Sequence, residues 1–287
     1  MNIDCVICRY GELALKGKNR SLFENRLVSN IRDCLKKKGI DADVRKIRGR
    51  IFVHTTNKAA TRCLKNIFGL VSLSPAVVSK SLPKSIEQKL IDYVKEVTSK
   101  NVFHTFRITT RRGDKSFSKT SNEMNVLLGD AVPENLGMNV DLVKPDLNLG
   151  VEIYDNTYIF HETIQCFGGL PVGMSGRVAC IVKKESDLAA AWLMMKRGCE
   201  AFILLFDNID LSLLTAYSYG SEIKSSRIDS LIDINGFAEE NECIAVVTGD
   251  RLEEFDPESY KDINIPLLTP LIAYNEKMLS DLTVRIR

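Results

Sequence analysis

The sequence predicts an α+β protein that ends in an α/β unit, and three observations in the 287-residue chain lead to this prediction. The first 80 residues follow the order β-α-β-β-α-β, which is typical of a ferredoxin-like unit. A second mixed unit of helix, strand, helix and hairpin follows it. From residue 177 onwards strands and helices alternate, which indicates a parallel sheet. The predicted domain limits are 1–80, 81–166 and 177–287, with a glycine-rich connector over 167–176.

The first unit is predicted to open with a strand over 3–10 and a helix over 19–38. Apolar residues recur at helical spacing in this helix; they are Leu22, Phe23, Leu27, Ile31 and Leu35. Ser21 and Glu24 form a capping-box pattern at its start, and Gly39 stands where a helix C-cap belongs.

A hairpin, a second helix and a last strand complete the first unit. The hairpin is expected to turn near Gly49, the helix to stop at Gly69, and the strand to cover 71–80. The second unit then begins with a helix over 85–100, followed by the strand in "TFRITTRRGDKSF". Its later elements are a helix and a hairpin, marked by a capping box at Thr120 and Glu123 and by a turn at Asp155-Asn156.

The third unit reads as a short parallel α/β sheet covered by helices. Strands are predicted at 178–182, 200–206, 243–248 and 265–268. Helices are predicted at 186–197, about 208–218, 226–239 and 275–286. No apolar run in the chain reaches the roughly 18–20 residues that a membrane-spanning helix requires, so no membrane association is expected.

Charge is distributed unevenly along the chain, although its net value is only +2. Residues 1–120 hold 26 Lys and Arg against 10 Asp and Glu, whereas residues 121–287 hold 13 against 27. The surplus of 16 positive charges favours nucleic acid or another polyanion as the partner of the first part. A solvated basic face is the alternative interpretation.

Basic side chains gather in three segments where phosphate contacts are expected. On a strand, Arg107, Thr109 and Arg111 share one face while Phe106 and Ile108 share the other, and the hairpin cations are expected to alternate in the same way. Phe117 either stacks on a base or anchors its loop, and the anchoring role is favoured. The predicted RNA-binding residues are Arg9, Lys16, Lys18, Arg20, Lys46, Arg48, Arg50, Arg107, Arg111, Arg112, Lys115 and Lys119.

Neither a metal site nor a catalytic nucleophile is predicted. Cys5 and Cys8 form a C-x-x-C inside a strand, where they point to opposite faces and cannot easily share a metal or a disulfide. The eight cysteines are scattered, as is usual in a reducing cytoplasm.

The turn "IVKKESD" joins a strand to a helix, as phosphate-binding loops do, but it contains no glycine. A Cβ at every position should block the close backbone approach that a phosphate cradle needs, and Glu185 would repel an anion. Lys183 and Lys184 remain as a weak side-chain alternative for attracting phosphate.

Five segments in order resemble the tRNA 4-thiouridine synthetase family, also called the ThiI or thiamine-biosynthesis sulfurtransferase family. They are "RYGELALKGKNRSLFENRL", "FRITTRRGDKSFSKTSNEM", "VDLVKPDLNLGVEI", "GGLPVGMSGRV" and "AWLMMKRG". The resemblance implies a ferredoxin-like domain, a THUMP RNA-binding domain and a PP-loop domain of the adenine nucleotide alpha hydrolase type. It also implies that the first two domains grip tRNA, including its acceptor end, while the third adenylates a uridine and a persulfide cysteine delivers sulfur.

The chain departs from this family in its third domain. The family's Ser-Gly-Gly-x-Asp-Ser loop falls on 182–187 without a match at any fixed position, and the region upstream of Val-Thr-Gly has no cysteine. Thr269 stands where the family usually has arginine. What remains of a nucleotide site is Lys183, Lys184, Ser186, Thr248 and Gly249.

We therefore predict a cytoplasmic tRNA-binding protein that engages the acceptor region and has lost adenylation and sulfur transfer, with no bound cofactor. A modification enzyme acting in trans and a second copy of the chain are conceivable partners. The alternative is an active, ATP-dependent tRNA sulfurtransferase with an altered site.

Overall fold

The computed structural model describes residues 2–15, 17–47, 49–232 and 234–286. They form two compact structural units, each with its own core, and the terms first unit and second unit refer to these two from this point on. The first contains Met1–Arg9, Ile40–Arg62 and Ser72–Gln165, and the second contains Tyr10–Gly39, Cys63–Val71 and Cys166–Arg287. The sequence-based domain limits stay a prediction.

The first unit is built on one mixed sheet of nine strands, in the order β2-β3-β1-β4-β8-β7-β5-β6 with β9 paired to β4. The strands are β1 (Cys5–Tyr10), β2 (Asp43–Ile47), β3 (Arg50–His54), β4 (Leu70–Lys80), β5 (Thr105–Arg112), β6 (Asn139–Val140), β7 (Leu147–Ile153), β8 (Asn156–Phe160) and β9 (Ile164–Gln165). The helices between these strands in the chain are α1 (Arg20–Lys37), which belongs to the second unit, α2 (Ala59–Leu64), α3 (Pro83–Thr98) and α4 (Ser121–Leu136). The predicted order of elements is confirmed, as are the hairpins formed by β2 with β3 and by β7 with β8.

One face of this sheet carries α3 and α4. Their apolar sides pack on alternate residues of β5 and β7, including Phe106, Ile108 and Val151. This packing leaves the remaining residues of β5 on the other face of the sheet, because successive strand residues point in opposite directions.

The predicted start of α1 is wrong. The helix begins at Arg20, so Asn19 rather than Ser21 is its N-cap residue, and no side-chain capping bond forms there. Glu24 instead accepts hydrogen bonds from Tyr10 (2.6 Å) and Arg20 (2.7 Å). Leu22, expected in the apolar stripe, is 59% exposed.

The capping box predicted for α4 is confirmed. The Glu123 amide donates to Thr120 Oγ1 (3.2 Å), and the Thr120 amide donates to Glu123 Oε2 (2.6 Å). We expect Thr120→Ala to lower the free energy of unfolding of the first unit by about 1 kcal/mol, because one terminal N–H loses its acceptor. Urea titration followed by circular dichroism would measure this, with the exposed Thr56→Ala as control. Equal stability of the two variants would contradict the expectation.

The second unit contains a parallel sheet, as predicted, but it has five strands where four were expected, in the order β12-β11-β10-β13-β14. Its strands are β10 (Arg177–Val182), β11 (Glu200–Leu205), β12 (Lys224–Arg227), β13 (Cys243–Thr248) and β14 (Leu267–Leu268). The helices are α5 (Leu188–Lys196), α6 (Ser212–Thr215), α7 (Ile234–Glu240) and α8 (Glu276–Ile286). The strand β12 is not predicted, because its segment "KSSR" is short and polar and carries no strand pattern. The helix predicted over 226–239 overlaps its last two residues.

Helices cover both faces of the parallel sheet. Residues of α5 pack on Cys180, Val182 and Ile203, whereas α7 packs on Ile181 and Leu204. Among the helices in the described part of the chain, none is both long and apolar enough to cross a membrane.

Candidate functional site

The exposed face of β5 carries two of the predicted cations. Parallel pairing with β7 places Arg107 beside Asn148 and Arg111 beside Glu152, on the face opposite Phe106 and Ile108. Arg107 is held in place, because its Nη1 donates to the Leu142 carbonyl (3.1 Å) and its Nε to Asn148 Oδ1 (3.4 Å). Arg111 is exposed.

The loop between β5 and α4 adds further cations. Phe117 packs against the core beneath α3 and α4, so the favoured anchoring role is confirmed. Arg112 braces the same loop by donating to the Phe117 carbonyl (3.2 Å). Lys115 lies exposed and Lys119 half-buried beside this anchor. We call Arg107, Arg111, Lys115 and Lys119 the β5 cation cluster, and none of the four has a carboxylate partner among the ion pairs of the described residues.

Arg9 and Arg50 take a different position, around a buried carboxylate. Glu152 is 4% exposed, and its Oε1 accepts from Arg9 Nη2 (2.8 Å) and Nε (3.2 Å). Its Oε2 accepts from Arg50 Nε (3.1 Å). The side chains of Arg9 and Arg50 are only 15% and 11% exposed, so both act mainly inside the protein.

A close backbone approach fixes the Arg9 side chain further. The guanidinium of Arg9 lies over the Phe160 ring, 4.9 Å from its centroid, and its Nη1 donates to Ser74 Oγ (2.8 Å). The Phe160 ring in turn packs closely against Gly150, where an added Cβ would come within 2.3 Å of the ring. Only glycine at position 150 leaves room for this arrangement.

The expected alternation of cations across the first hairpin is wrong. The register pairs Ile47 with Arg50 and Lys46 with Ile51, so Lys46 and Arg50 lie on opposite faces. On one continuous strand, residues four apart share a face. Lys46 and Arg50 lie on two paired strands separated by two residues, so the register places them on opposite faces instead.

The other predicted cations of the first segment are spread over different environments. Lys18 is exposed in a short 3₁₀ turn, and Arg20 is paired with Glu24. Lys16 and Arg48 lie outside the described residues.

In the second unit, the crevice at the carboxyl ends of β10 and β13 is where a parallel sheet of this order usually binds ligands, because the strand order reverses there. A network of side chains fills the crevice. Lys183 Nζ donates to the Tyr260 hydroxyl (2.7 Å) and pairs with Asp250 (3.3 Å). Tyr260 also donates to Asp250 and lies 2.9 Å from Thr248 Oγ1.

Neighbouring charges stabilise the ionised groups of this network. Burial lowers the pKa of Lys183, but its contacts with Tyr260 and Asp250 outweigh burial and raise it above the ordinary value. Lys184 pairs with Glu254, and the contacts of Glu254 with Arg251 and Lys184 lower its pKa to about 2.

Asp187 occupies the turn itself. Its Oδ2 accepts from the backbone N–H of Lys183 (2.8 Å) and of Lys184 (3.1 Å). The side chain is 2% exposed, and its Oδ1 has no hydrogen-bond partner. Burial raises the pKa of this carboxyl. A Cβ added to Gly249 would come within 2.5 Å of Asp187 Oδ1, so the loop after β13 closes directly over the carboxylate.

These residues do not fit the phosphates of ATP, the group that the family resemblance implies. The turn N–H groups already have an acceptor, both lysine side chains are paired, and Thr248 is bonded within the network. Ser186 is half-buried beside them. Sequence reasoning did not single out Asp187, Asp250 and Tyr260. The one available signal was position, because Asp250 follows the end of β13 by two residues and Asp187 follows the end of β10 by five.

The cysteines offer no accessible thiolate. Seven are buried, and burial raises the pKa of the half-exposed Cys166 to about 12. Across the part of the chain that the structure describes, no group of three or more His, Cys, Asp or Glu is arranged to hold a metal ion.

Two family models match the chain in succession. Residues 5–74 match the ThiI ferredoxin-like domain, and residues 84–162 match the THUMP domain. The β5 cation cluster lies within the second match.

Curated relatives extend the similarity along the chain. A probable tRNA sulfurtransferase of Methanobrevibacter smithii is 41% identical over 218 residues, which cover 72% of this chain and 55% of that protein. A probable tRNA sulfurtransferase of Methanothermobacter thermautotrophicus is 32% identical over 337 positions, covering 100% of this chain and 85% of the relative. Because this chain has 287 residues, that alignment holds at least 50 positions at which only the relative has a residue.

Solved structures show the same fold. The crystal structure of PH1313 from Pyrococcus horikoshii OT3 matches with a TM-score of 0.90 and 30% identity, covering 100% of this chain and 99% of that one. A 4-thiouridine synthetase crystallised as an RNA complex with bound ATP matches with a TM-score of 0.86 and 23% identity, covering 99% and 85%.

Proposed function

The chain belongs to the tRNA sulfurtransferase family, and we propose that it is a tRNA-binding member whose third domain neither adenylates tRNA nor transfers sulfur. The RNA is engaged at its acceptor region. Thiolation of the bound tRNA then requires an enzyme supplied in trans.

The β5 cation cluster is the observation on which the RNA-binding part of the proposal rests. It presents four cations on a strand and an adjoining loop, and its guanidinium and ammonium groups suit phosphate oxygens. Strand-and-loop presentation with few exposed aromatic rings suits a structured RNA that is recognised by shape. A 4-thiouridine synthetase with this fold forms an RNA complex, which supports the same class of ligand here.

The loss of chemistry rests on the turn before α5. Its backbone donors bind Asp187 and its lysines are paired. Seven of the eight cysteines are buried and the pKa of the half-exposed Cys166 is raised, so the described chain lacks the exposed thiolate that sulfur transfer needs. A relative of this fold does hold ATP, so the difference lies in the residues of the turn rather than in the sheet.

Two titrations test the proposal. Labelled tRNA should bind the full chain at 50 mM KCl and bind much more weakly at 200 mM, because each phosphate contact releases condensed counterions. Calorimetry with millimolar ATP should detect no binding, with or without tRNA.

The two results are independent. Absent or salt-insensitive tRNA binding would contradict the RNA-binding part. ATP binding, or release of pyrophosphate with tRNA present, would contradict the loss of chemistry and indicate an active sulfurtransferase with an altered site.

A further inference from the structure

We propose that the Asp187 carboxylate is a built-in anion that fills the phosphate position of the strand-to-helix turn, and that its removal opens a binding site for inorganic phosphate and pyrophosphate. The inference deepens, and rests on, the proposed loss of nucleotide chemistry. A single group, the Asp187 carboxylate, then keeps phosphate away from the backbone donors of the turn.

The backbone donors of the turn are arranged as in a phosphate site. A turn that joins a parallel strand to a helix binds phosphate by directing consecutive backbone N–H groups at one anionic oxygen. Here the N–H groups of Lys183 and Lys184 converge on a single atom, Asp187 Oδ2, at 2.8 and 3.1 Å. The converging donors of a phosphate site are therefore present, but a side chain of the same chain satisfies them.

The other carboxylate oxygen of Asp187 is enclosed by the protein. Asp187 Oδ1 is buried without a hydrogen-bond partner, which is costly for a group that is 2% exposed. Because this oxygen faces Gly249, water and further donors are kept away from it. An ordinary capping aspartate would not be enclosed in this way.

Ion pairs surround the turn. Two ammonium groups stand at the turn, but Lys183 is paired with Asp250 and Lys184 with Glu254. Of the three acids Asp187, Asp250 and Glu254, Asp187 alone has no cationic partner among the ion pairs of the described residues, so replacing it by a neutral residue leaves the turn one unit more positive. The exposed Glu185 remains in the turn and limits the affinity for an anion. The freed space is that of one carboxylate, so it admits one terminal oxygen of the anion, and the rest of a phosphate or pyrophosphate must lie outward, toward the exposed side chains of Lys183 and Lys184.

The test measures pyrophosphate and phosphate binding to the full chain by ³¹P NMR and calorimetry. Wild type should bind neither at 10 mM, whereas Asp187→Ala should bind pyrophosphate with a millimolar Kd. Asp187→Asn should not bind, because its amide keeps the space filled and still accepts from the turn. Circular dichroism and thermal unfolding verify that each variant is folded.

A matched control is Asp256→Ala. Asp256 also accepts backbone N–H bonds, from Glu258 at 3.1 Å, but it does so on the surface. This variant removes the same charge and should bind no pyrophosphate. Binding by Asp256→Ala equal to that of Asp187→Ala would reduce the effect to net charge and overturn the inference.

The remaining outcomes separate the inference from the proposed function. A folded Asp187→Ala that binds no pyrophosphate overturns the inference alone, while the tRNA and ATP results stand. Pyrophosphate binding by wild type overturns the inference and the proposed loss of nucleotide chemistry together. If Asp187→Ala does not fold, the amide signals of Lys183 and Lys184 decide the matter in wild type, where 10 mM pyrophosphate should leave them unshifted; a shift would overturn the inference.

Discussion

Replacing Glu152 by alanine is expected to destabilise the first unit by about 3–5 kcal/mol, because two half-buried guanidinium groups lose their shared counter-charge. Arg9 and Arg50 each donate to this carboxylate at 2.8–3.2 Å. Among the described residues no second carboxylate replaces it, since the further contacts of Arg9 there are Ser74 and the Phe160 ring. Urea denaturation of the full chain, followed by circular dichroism, would measure the loss.

Glu134→Ala is the matched control. Glu134 is an exposed carboxylate on α4 of the same unit, and its removal changes the net charge equally. This variant should stay within about 0.5 kcal/mol of wild type. Glu152→Gln should fall between the two, because the amide oxygen still accepts one guanidinium bond. A Glu152→Ala variant as stable as Glu134→Ala would mean that Arg9 and Arg50 need no partner, and both would return to the set of candidate RNA contacts.

The sequence predicts much of the fold because local patterns determine it. The capping box at Thr120, the alternation of Phe106 and Ile108 with Arg107 along β5, and the strand-helix rhythm of the second unit all depend on neighbouring residues. The short polar strand β12 carries no such pattern, and the helix predicted over 226–239 overlaps its last two residues.

The candidate site is predicted less well, because its residues meet across the chain. Arg9 and Glu152 are 143 residues apart in sequence, and Arg50 and Glu152 are 102 apart. No spacing rule links them, so composition alone groups Arg9 and Arg50 with the exposed cations. Lys46 is a similar case, because its face depends on the length of the turn before β3.

The turn before α5 illustrates a third limit. Absence of glycine predicts that a phosphate cradle is lost, but it does not predict what takes the place of the phosphate. Asp187 does so only because the 3₁₀ turn at Glu185–Asp187 brings its side chain back onto the backbone amides of Lys183 and Lys184. This fold-back depends on a backbone conformation that the sequence "KKESD" does not specify.

The double variant Arg111→Ala/Lys115→Ala is expected to weaken tRNA binding by tenfold or more, on the order of the loss of two phosphate contacts. Both residues belong to the β5 cation cluster, and neither holds the fold through a described ion pair or hydrogen bond of its side chain. Arg107 is left unchanged because it binds the Leu142 carbonyl and would report on stability as well. The slope of log Kd against log salt should become less steep by about 2, which is the signature of lost phosphate contacts.

Lys84→Ala/Lys95→Ala is the control that separates position from charge. Both lysines are exposed on α3, which covers the opposite face of the same sheet, and their removal changes the net charge equally. If the β5 face binds RNA, this control should change Kd by less than about threefold and leave the salt slope within about 0.5 of wild type. Equal weakening by the two double variants would mean that tRNA responds to the overall charge of the unit, and it would remove the β5 cation cluster as the binding surface.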